Sequence, residues 1–357
     1  MSRSTATQSA ATRSAATTSV RPALGWWTIP AKRKLAVIVL LLIVVVAMSL
    51  FIGRYPSPGI MSLDRLATDD LAQQLVFNLR LPRILTALAL GMSLAAAGAV
   101  FQQIFANPLV DPGFLGVSQG AAFGASLAII FFGSVAWIVQ ASAALFAVAG
   151  LGLSYFLARR ARFGGSVIRL VLAGIAVSAF FSAGVGALKY LADPMTQLQE
   201  ITFWLLGGLQ GITWLQFWSI APAVSISLFV IYRMRWRLNL LSLDDATAFS
   251  LGATPGRERA LLLGVAVAAT AAVVSVCGMV GWVGLIVPHI ARRLFGADAR
   301  YSVPAALLIG GLFGVLCDDV ARTLLAGEIP IGILTSLIGA LLFIVILMTY
   351  GHVGEQR

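Results

Sequence analysis

Apolar runs long enough to cross a bilayer recur along nearly the whole chain, and that narrows the fold more than any other feature. They fall at about residues 35–53, 84–105, 115–133, 136–157, 168–190, 214–232, 260–277, 280–295, 302–325 and 329–350. A spanning helix takes roughly 20 apolar residues. The expectation is therefore an all-α, polytopic membrane protein with about ten transmembrane helices. The rest of the composition agrees: 59% of residues are hydrophobic and only 11% charged, with a mean hydropathy of +0.93. A soluble domain carries about a quarter charged residues, so the solvent for most of this chain must be lipid. The run near residues 283–294 is short and broken by Gly284 and Pro288. It is expected to pack inside the bundle.

The net charge of +11 then has a membrane meaning, because Lys and Arg collect on cytoplasmic loops. With both termini inside, the inside set holds Arg159, Arg160, Arg162, Arg233, Arg235, Arg237, Arg257, Arg259, Arg292, Arg293 and Arg300, and the outside set is sparse. No soluble basic domain exists to bind nucleic acid. Residues 1–34 are rich in Ser, Thr and Ala and contain six basic residues from Arg3 to Lys34. They are expected to form a disordered cytoplasmic tail before an uncleaved first span. The membrane-spanning body is expected over 35–350, with a short cytoplasmic tail at 351–357. Cys277 and Cys317 lie in apolar runs without a CxxC partner and read as small buried hydrophobes. Gly116, Gly120 and Gly124 recur at every fourth position, which allows another helix to approach closely.

Three stretches are too polar or too irregular for an ordinary lipid-facing helix. Pro82 in Leu79-Arg80-Leu81-Pro82-Arg83 suits a first helical turn, with Arg80 and Arg83 sharing a face. Snorkelling to headgroups would also explain the two arginines. Residues 107–116, Asn107-Pro108-Leu109-Val110-Asp111-Pro112-Gly113-Phe114-Leu115-Gly116, cannot form a continuous helix. Irregular backbone at that depth must face protein or a water-filled cavity, so the stretch reads as a gate or a tight loop. Within the inside loop 233–259, residues 242–252 read as a short helix. Ser242 would cap it, Asp244 and Asp245 favour its start, and Gly252 stops it. Leu243, Ala246 and Ser250 fall on one side, and Phe249 and Leu251 supply apolar knobs suited to a partner's groove.

Four stretches occur in order: residues 79–83, residues 107–116, Gly281-Trp282-Val283-Gly284-Leu285-Ile286-Val287-Pro288-His289-Ile290-Ala291-Arg292, and Glu328-Ile329-Pro330-Ile331-Gly332-Ile333-Leu334-Thr335. Together they resemble the FecCD-type permeases of type II ABC importers, which take up iron-siderophores, haem and vitamin B12. The resemblance covers about residues 35–350. It implies ten spans in the bacterial inner membrane, a second permease copy or paired paralogue, a cytoplasmic ABC ATPase dimer and a periplasmic substrate-binding protein. The chain itself would bind no cofactor; ATP and Mg would sit on the partner ATPase.

By the same resemblance, Arg80, Arg83 and Arg322 match outer-face arginines that receive acidic residues of the binding protein. Asn107 and Leu109 match the cytoplasmic gate. Leu243, Asp244, Asp245, Ala246, Phe249 and Gly252 belong to the helix that couples to the ATPase. Trp204, Gly207 and Gly208 match the outer gate near the translocation path. Two departures stand out: Gly164-Gly165-Ser166-Val167-Ile168, less polar than the matching inner-gate region, and Asp319, where the family commonly has an apolar residue.

Other residues admit plainer roles. Asp318 and Arg322, four apart, could pair on one helix. Trp204, Trp214 and Trp218 could form an interfacial belt. His289 has no second metal ligand near it in sequence. The chain has no GxxxxGK[ST] phosphate loop, so energy must come from elsewhere. A gradient-driven transporter would need acids near mid-membrane, and Asp318 and Asp319 are nearly the only ones. An intramembrane enzyme would need a catalytic cluster; no HExxH, GxSxG or paired His/Asp set is present.

Overall fold

The computed structural model describes residues 29–55, 59–162, 165–325 and 327–354. Most of the expected N-terminal tail, Gly164 and residues 355–357 lie outside them. Every one of the ten apolar runs forms a helix. Helix α1 (Ala31–Phe51) leads through a short antiparallel pair, β1 (Ile52–Gly53) and β2 (Gly59–Ile60), into α2 (Leu63–Thr68) and α3 (Asp70–Gln74). A π-turn, Leu75–Arg80, joins α3 to α4 (Leu81–Ile104). Then follow α5 (Val117–Phe132), α6 (Ala136–Arg160), α7 (Ser166–Leu191), α8 (Gln197–Leu206) and α9 (Trp214–Met234). The short helices α10 (Arg237–Leu241) and α11 (Asp245–Ser250) precede α12 (Pro255–Cys277), α13 (Val283–Phe295), α14 (Ala299–Thr323) and α15 (Ile331–Gly354).

Seven helices among the described residues are long and apolar enough to cross a membrane; α5 and α15 supply shorter apolar stretches. At 13 residues, α13 is too short, and its Val283, Ile286, Val287 and Pro288 are buried within the bundle, as its broken sequence implied. Two boundaries differ from the sequence reading. Helix α1 starts at Ala31, because the Lys34 ammonium is buried and donates to the Leu294 carbonyl at 3.2 Å rather than staying in water. Helix α15 runs on to Gly354, so most of the expected C-terminal tail is helical. Pro82 stands in the first turn of α4, as its position suggested, and the π-turn makes the helix continuous from Asp70 to Ile104. Proline cannot donate to the carbonyl four residues back, and the helix absorbs this by widening into the π-turn just before it.

Helix α4 is the most enclosed of the seven and packs against α9, α12, α13 and α14. Close approach here depends on small residues. A Cβ on Gly91 would lie 1.9 Å from the Gly310 carbonyl oxygen, and one on Gly98 would lie 1.9 Å from that of Gly284. The Gly116, Gly120 and Gly124 series does the same between α5 and α6: Gly120 faces the Phe146 carbonyl and Gly124 that of Ser142. Without a hydrophobic drive between helices in lipid, such backbone proximity is what dispersion packing requires.

Candidate functional site

The polar residues of this bundle gather at the two ends of α4. At its start, Arg80, Arg83 and Arg322 line one cavity of about 440 Å³, together with Arg54, Tyr55 and Glu328. The resemblance gives them the role of receiving a partner's acidic residues; in this structure each has an internal partner. Arg80 is buried and donates to the Leu50 carbonyl at 2.9 Å, its guanidinium lying on Gly53, where a Cβ would be 2.2 Å from Nη2. Arg83 donates through Nε to Asp318 at 2.8 Å and through Nη1 to both carboxylate oxygens of Glu328, at 2.9 and 2.8 Å. Arg322 is 7% exposed, pairs with Asp319, and lies 3.8 Å from Asp318. The reason is the cost of burying charge: a guanidinium taken out of water is retained only with acceptors beside it, carboxylates for Arg83 and Arg322 and the Leu50 carbonyl for Arg80.

That network also accounts for Asp319, which the sequence left unexplained. The Ser49 hydroxyl of α1 donates to Asp319 Oδ1 at 2.5 Å, and Arg322 Nη2 donates to both the carbonyl and the hydroxyl oxygen of Ser49. Asp318 therefore ties α14 to α4, and Asp319 ties α14 to α1. The i, i+4 pairing of Asp318 with Arg322 is present, but as one edge of this larger set.

Trp204, Gly207 and Gly208 sit at the same end. Gly207 ends α8 with φ +67, and a Cβ there would meet the Met279 carbonyl at 2.2 Å. Gly208 N–H donates to the Cys277 carbonyl at 2.8 Å. The end of α8 is thus laid against the turn between α12 and α13. Half-buried Trp204 lines a separate cavity of about 360 Å³ with Phe203, Glu200 and Gln216. Trp214 and Trp218 stack on one another, 6.3 Å between centroids, and Trp214 Nε1 donates to the Phe77 carbonyl at 2.9 Å.

At the opposite end of α4 the chain leaves the helix through Ala106, at φ +47. The Asn107 side chain accepts from Leu109 N–H at 2.9 Å, and Asp111 accepts from Gly113 N–H at 2.8 Å. These Asx turns lead into a 3₁₀ turn, Pro112–Leu115, and Gly116 at φ +80 opens α5. The loop rests on the first turn of α13: a Cβ on Gly284 would lie 2.5 Å from Pro112 Cδ. Leu109, 59% exposed, faces a cavity of about 280 Å³ with His289, Arg292, Phe343 and Ile346. No cluster of three or more His, Cys, Asp or Glu residues suited to a metal occurs among the described residues.

The residue that the sequence reading missed at this end is Gln102. Its Nε2 donates to the carbonyls of Gly284, at 3.1 Å, and Leu285, at 3.0 Å, and its Oε1 accepts from Arg292 Nη2 at 2.5 Å. Gly284 lies four residues before Pro288, whose missing N–H leaves that carbonyl without its helical donor. Gln102 supplies the replacement. An amide inside the apolar run before residue 107 was the available signal.

The short helix predicted over 242–252 is found as α11, and it is shorter. Its cap is Asp244, not Ser242: Asp244 Oδ1 accepts from Thr247 N–H at 3.0 Å. Hydrogen bonds from Thr247 hold the Asp244 carboxyl below its ordinary value, so the cap is charged at neutral pH. Ser242 is already the C-cap of α10, and its hydroxyl turns back to the Asn239 carbonyl at 2.9 Å. Gly252, at φ +81, stops the helix as expected. Arginines from the flanking helices clamp it: Arg259 pairs with Asp245 at 2.5 Å and donates to the Leu241 carbonyl at 3.0 Å, and Arg237 donates to the Gly252 carbonyl at 3.0 Å. Ala248 is buried beneath α11, whereas Leu243, Ala246 and Phe249 are exposed, Phe249 by 70%.

Known proteins are similar to this chain in sequence and fold. A solved structure described as an inward-facing conformation of a metal-chelate type ABC transporter superposes with a TM-score of 0.83 at 39% identity, over 89% of this chain and 99% of that one. The molybdate import permease MolB of Haemophilus influenzae is 40% identical over 311 residues, 85% of this chain and 92% of the relative. The hemin transport permease HmuU of Yersinia pestis is 36% identical over 296 residues, covering 82% and 87%. The iron(3+)-hydroxamate permease FhuG of Bacillus subtilis is 35% identical over 326 residues, covering 88% and 96%. Residues 41–349 match the FecCD transport family throughout, and the chain belongs to that family.

Proposed function

We propose that this chain is the membrane-spanning permease of a binding-protein-dependent ABC importer, carrying a metal chelate into the bacterial cytoplasm with ATP hydrolysed by a separate subunit. The observation that carries the reading is α11: a capped, arginine-clamped helix that holds a bare phenylalanine away from its own bundle. Exposed aromatics on a rigid mount are how one protein engages a groove on another. In this reading the end bearing α11 and residues 107–116 is cytoplasmic, with both termini on that side. Asn107 and Leu109 belong to the inner gate, and Trp204, Gly207 and Gly208 to the outer gate. The arginine-lined cavity at the far end receives a periplasmic binding protein, and a second permease copy completes the pathway.

Proton- or sodium-gradient coupling is disfavoured by the same structure. It calls for acids free to change state near mid-membrane, and Asp318 and Asp319 are both committed to arginines. A ferric siderophore is the first choice of cargo, with haem, cobalamin and molybdate as the alternatives carried by similar permeases. Proteoliposomes holding the permease with its ATPase and binding protein should take up radiolabelled ferric hydroxamate when ATP is enclosed, with or without an ion gradient. Uptake driven by a gradient in the absence of ATP would overturn the reading; parallel assays with haem, cobalamin and molybdate identify the cargo.

A further inference from the structure

Of the four arginines lining the 440 Å³ cavity, Arg83 and Arg322 are paired with three carboxylates, Asp318, Asp319 and Glu328, whereas Arg54 and Arg80 form no ion pair among the described residues. The three acids are not equivalent. Asp318 is fully enclosed and Asp319 nearly so, and both are fixed on α14. Glu328 is on the linker between α14 and α15, at the rim of the cavity, with a side chain 35% exposed. Its two oxygens share a single nitrogen, Arg83 Nη1, while the Nε of the same arginine is held independently by Asp318. Removing Glu328 would leave Arg83 anchored and would uncover one positive charge facing the cavity.

Resting on the reading of this end as the surface that receives the binding protein, we propose that Glu328 is a built-in stand-in for the partner's carboxylate. It occupies Arg83 in the free permease and is exchanged for an acidic side chain of the binding protein on docking. An exchange of one carboxylate for another keeps the charge balance over Asp318, so no buried ion is left alone at any stage. A partner acid approaching without displacing Glu328 would instead meet a like charge beside the same guanidinium. The exchange also has a route to the transport path. The Glu328 carbonyl accepts from Gln210 at 3.4 Å, and Gln210 lies in the segment that follows α8 and forms another wall of the cavity through Leu209, Gly211 and Ile212. Moving the linker therefore bears on the end of α8, next to Gly207 and Gly208.

The test is a titration of the permease in nanodiscs with its periplasmic binding protein, at low and at moderate salt, for the wild type and Glu328→Gln. The stand-in role requires Glu328→Gln to bind tighter, by about two- to fivefold at low salt, the range of a partly exposed ion pair. The gain should shrink as salt rises. Glutamine keeps the shape and can still accept from Arg83, so folding is preserved. A Glu328→Gln affinity equal to or weaker than wild type, with wild-type binding still salt-sensitive, overturns the exchange while leaving the docking surface intact. Wild-type affinity indifferent to salt overturns the docking surface itself, and the exchange with it.

Discussion

Replacing Gln102 by Leu isolates what the amide does for the α4–α13 contact. The side chains are close in volume, so the change removes polar partners rather than packing. Three hydrogen bonds disappear: two to the Gly284 and Leu285 carbonyls and one from the Arg292 guanidinium. A buried neutral group left without its partner costs about 1–3 kcal/mol, and a bond to a charged group is worth about 1.5–3 kcal/mol. Since Leu285 retains the ordinary helical donor and Arg292 has other contacts, the expected loss is about 3 kcal/mol. The native cysteines make the assay convenient. Cys277 and Cys317 are both buried, so a thiol-reactive fluorophore reports unfolding of the purified permease on heating. Gln102→Leu should lower the midpoint clearly. Adding Pro288→Ala restores an N–H to the Gly284 carbonyl and should recover part of the loss, although Pro288→Ala alone in the wild type should gain little. A double variant no more stable than Gln102→Leu would refute the account of Gln102 as the substitute donor.

Further outcomes follow from the same geometry. Phe249→Asp should leave insertion and the unfolding midpoint unchanged while reducing stimulation of the partner ATPase about tenfold or more, the scale of an aromatic hot spot; unchanged stimulation at equal expression would remove α11 from the coupling role. With Cys277 and Cys317 replaced, Leu109→Cys should react with a membrane-impermeant maleimide at a rate that changes when ATP binds the assembled complex, and a constant rate would make the loop static packing. Gly310→Leu should abolish the folded permease, because even a Cβ there would lie 2.3 Å from the Gly91 carbonyl oxygen; a monodisperse, thermally stable variant would contradict the α4–α14 packing.

The sequence displayed what depends on neighbours along the chain. The ten helices, the close-packing glycines of α5 and the Gly252 stop all follow from period and residue type. The cap of α11 was missed by two residues because Ser242 and Asp244 are both good N-caps, and only the extent of α10 decides between them. The arginines were harder. Arg83 is 235 residues from Asp318 and 245 from Glu328, and a lone Arg reads alike whether it meets lipid, a partner or an internal acid. Only the fold reveals that Ser49, an unremarked serine near the end of α1, makes Asp319 tolerable. Gln102 depended on the same kind of knowledge: its value comes from a proline on another helix.

These contacts also constrain which parts of the bundle can move. Arg83 and Gln102 are 19 residues apart on α4, about 28 Å at the rise of an α-helix, and each holds a different helix, α14 and α13. Between them α4 is enclosed by backbone-to-backbone contacts at Gly91 and Gly98 that leave no room for sliding. Tightly interdigitated elements switch between discrete packings rather than deform, so α4 with α13 and α14 is the frame. Around this frame, α8 and the segment after it bond to the end of α12 and to the linker before α15, through Gly208 and Gln210, and the loop at residues 107–116 combines its own Asx turns with a close approach of Pro112 to Gly284 on α13. Both lie at opposite ends of the same frame, beside the two polar clusters. The 3₁₀ turn of that loop packs on α5 and α7 more than on α4, so a change in the loop bears first on those peripheral helices.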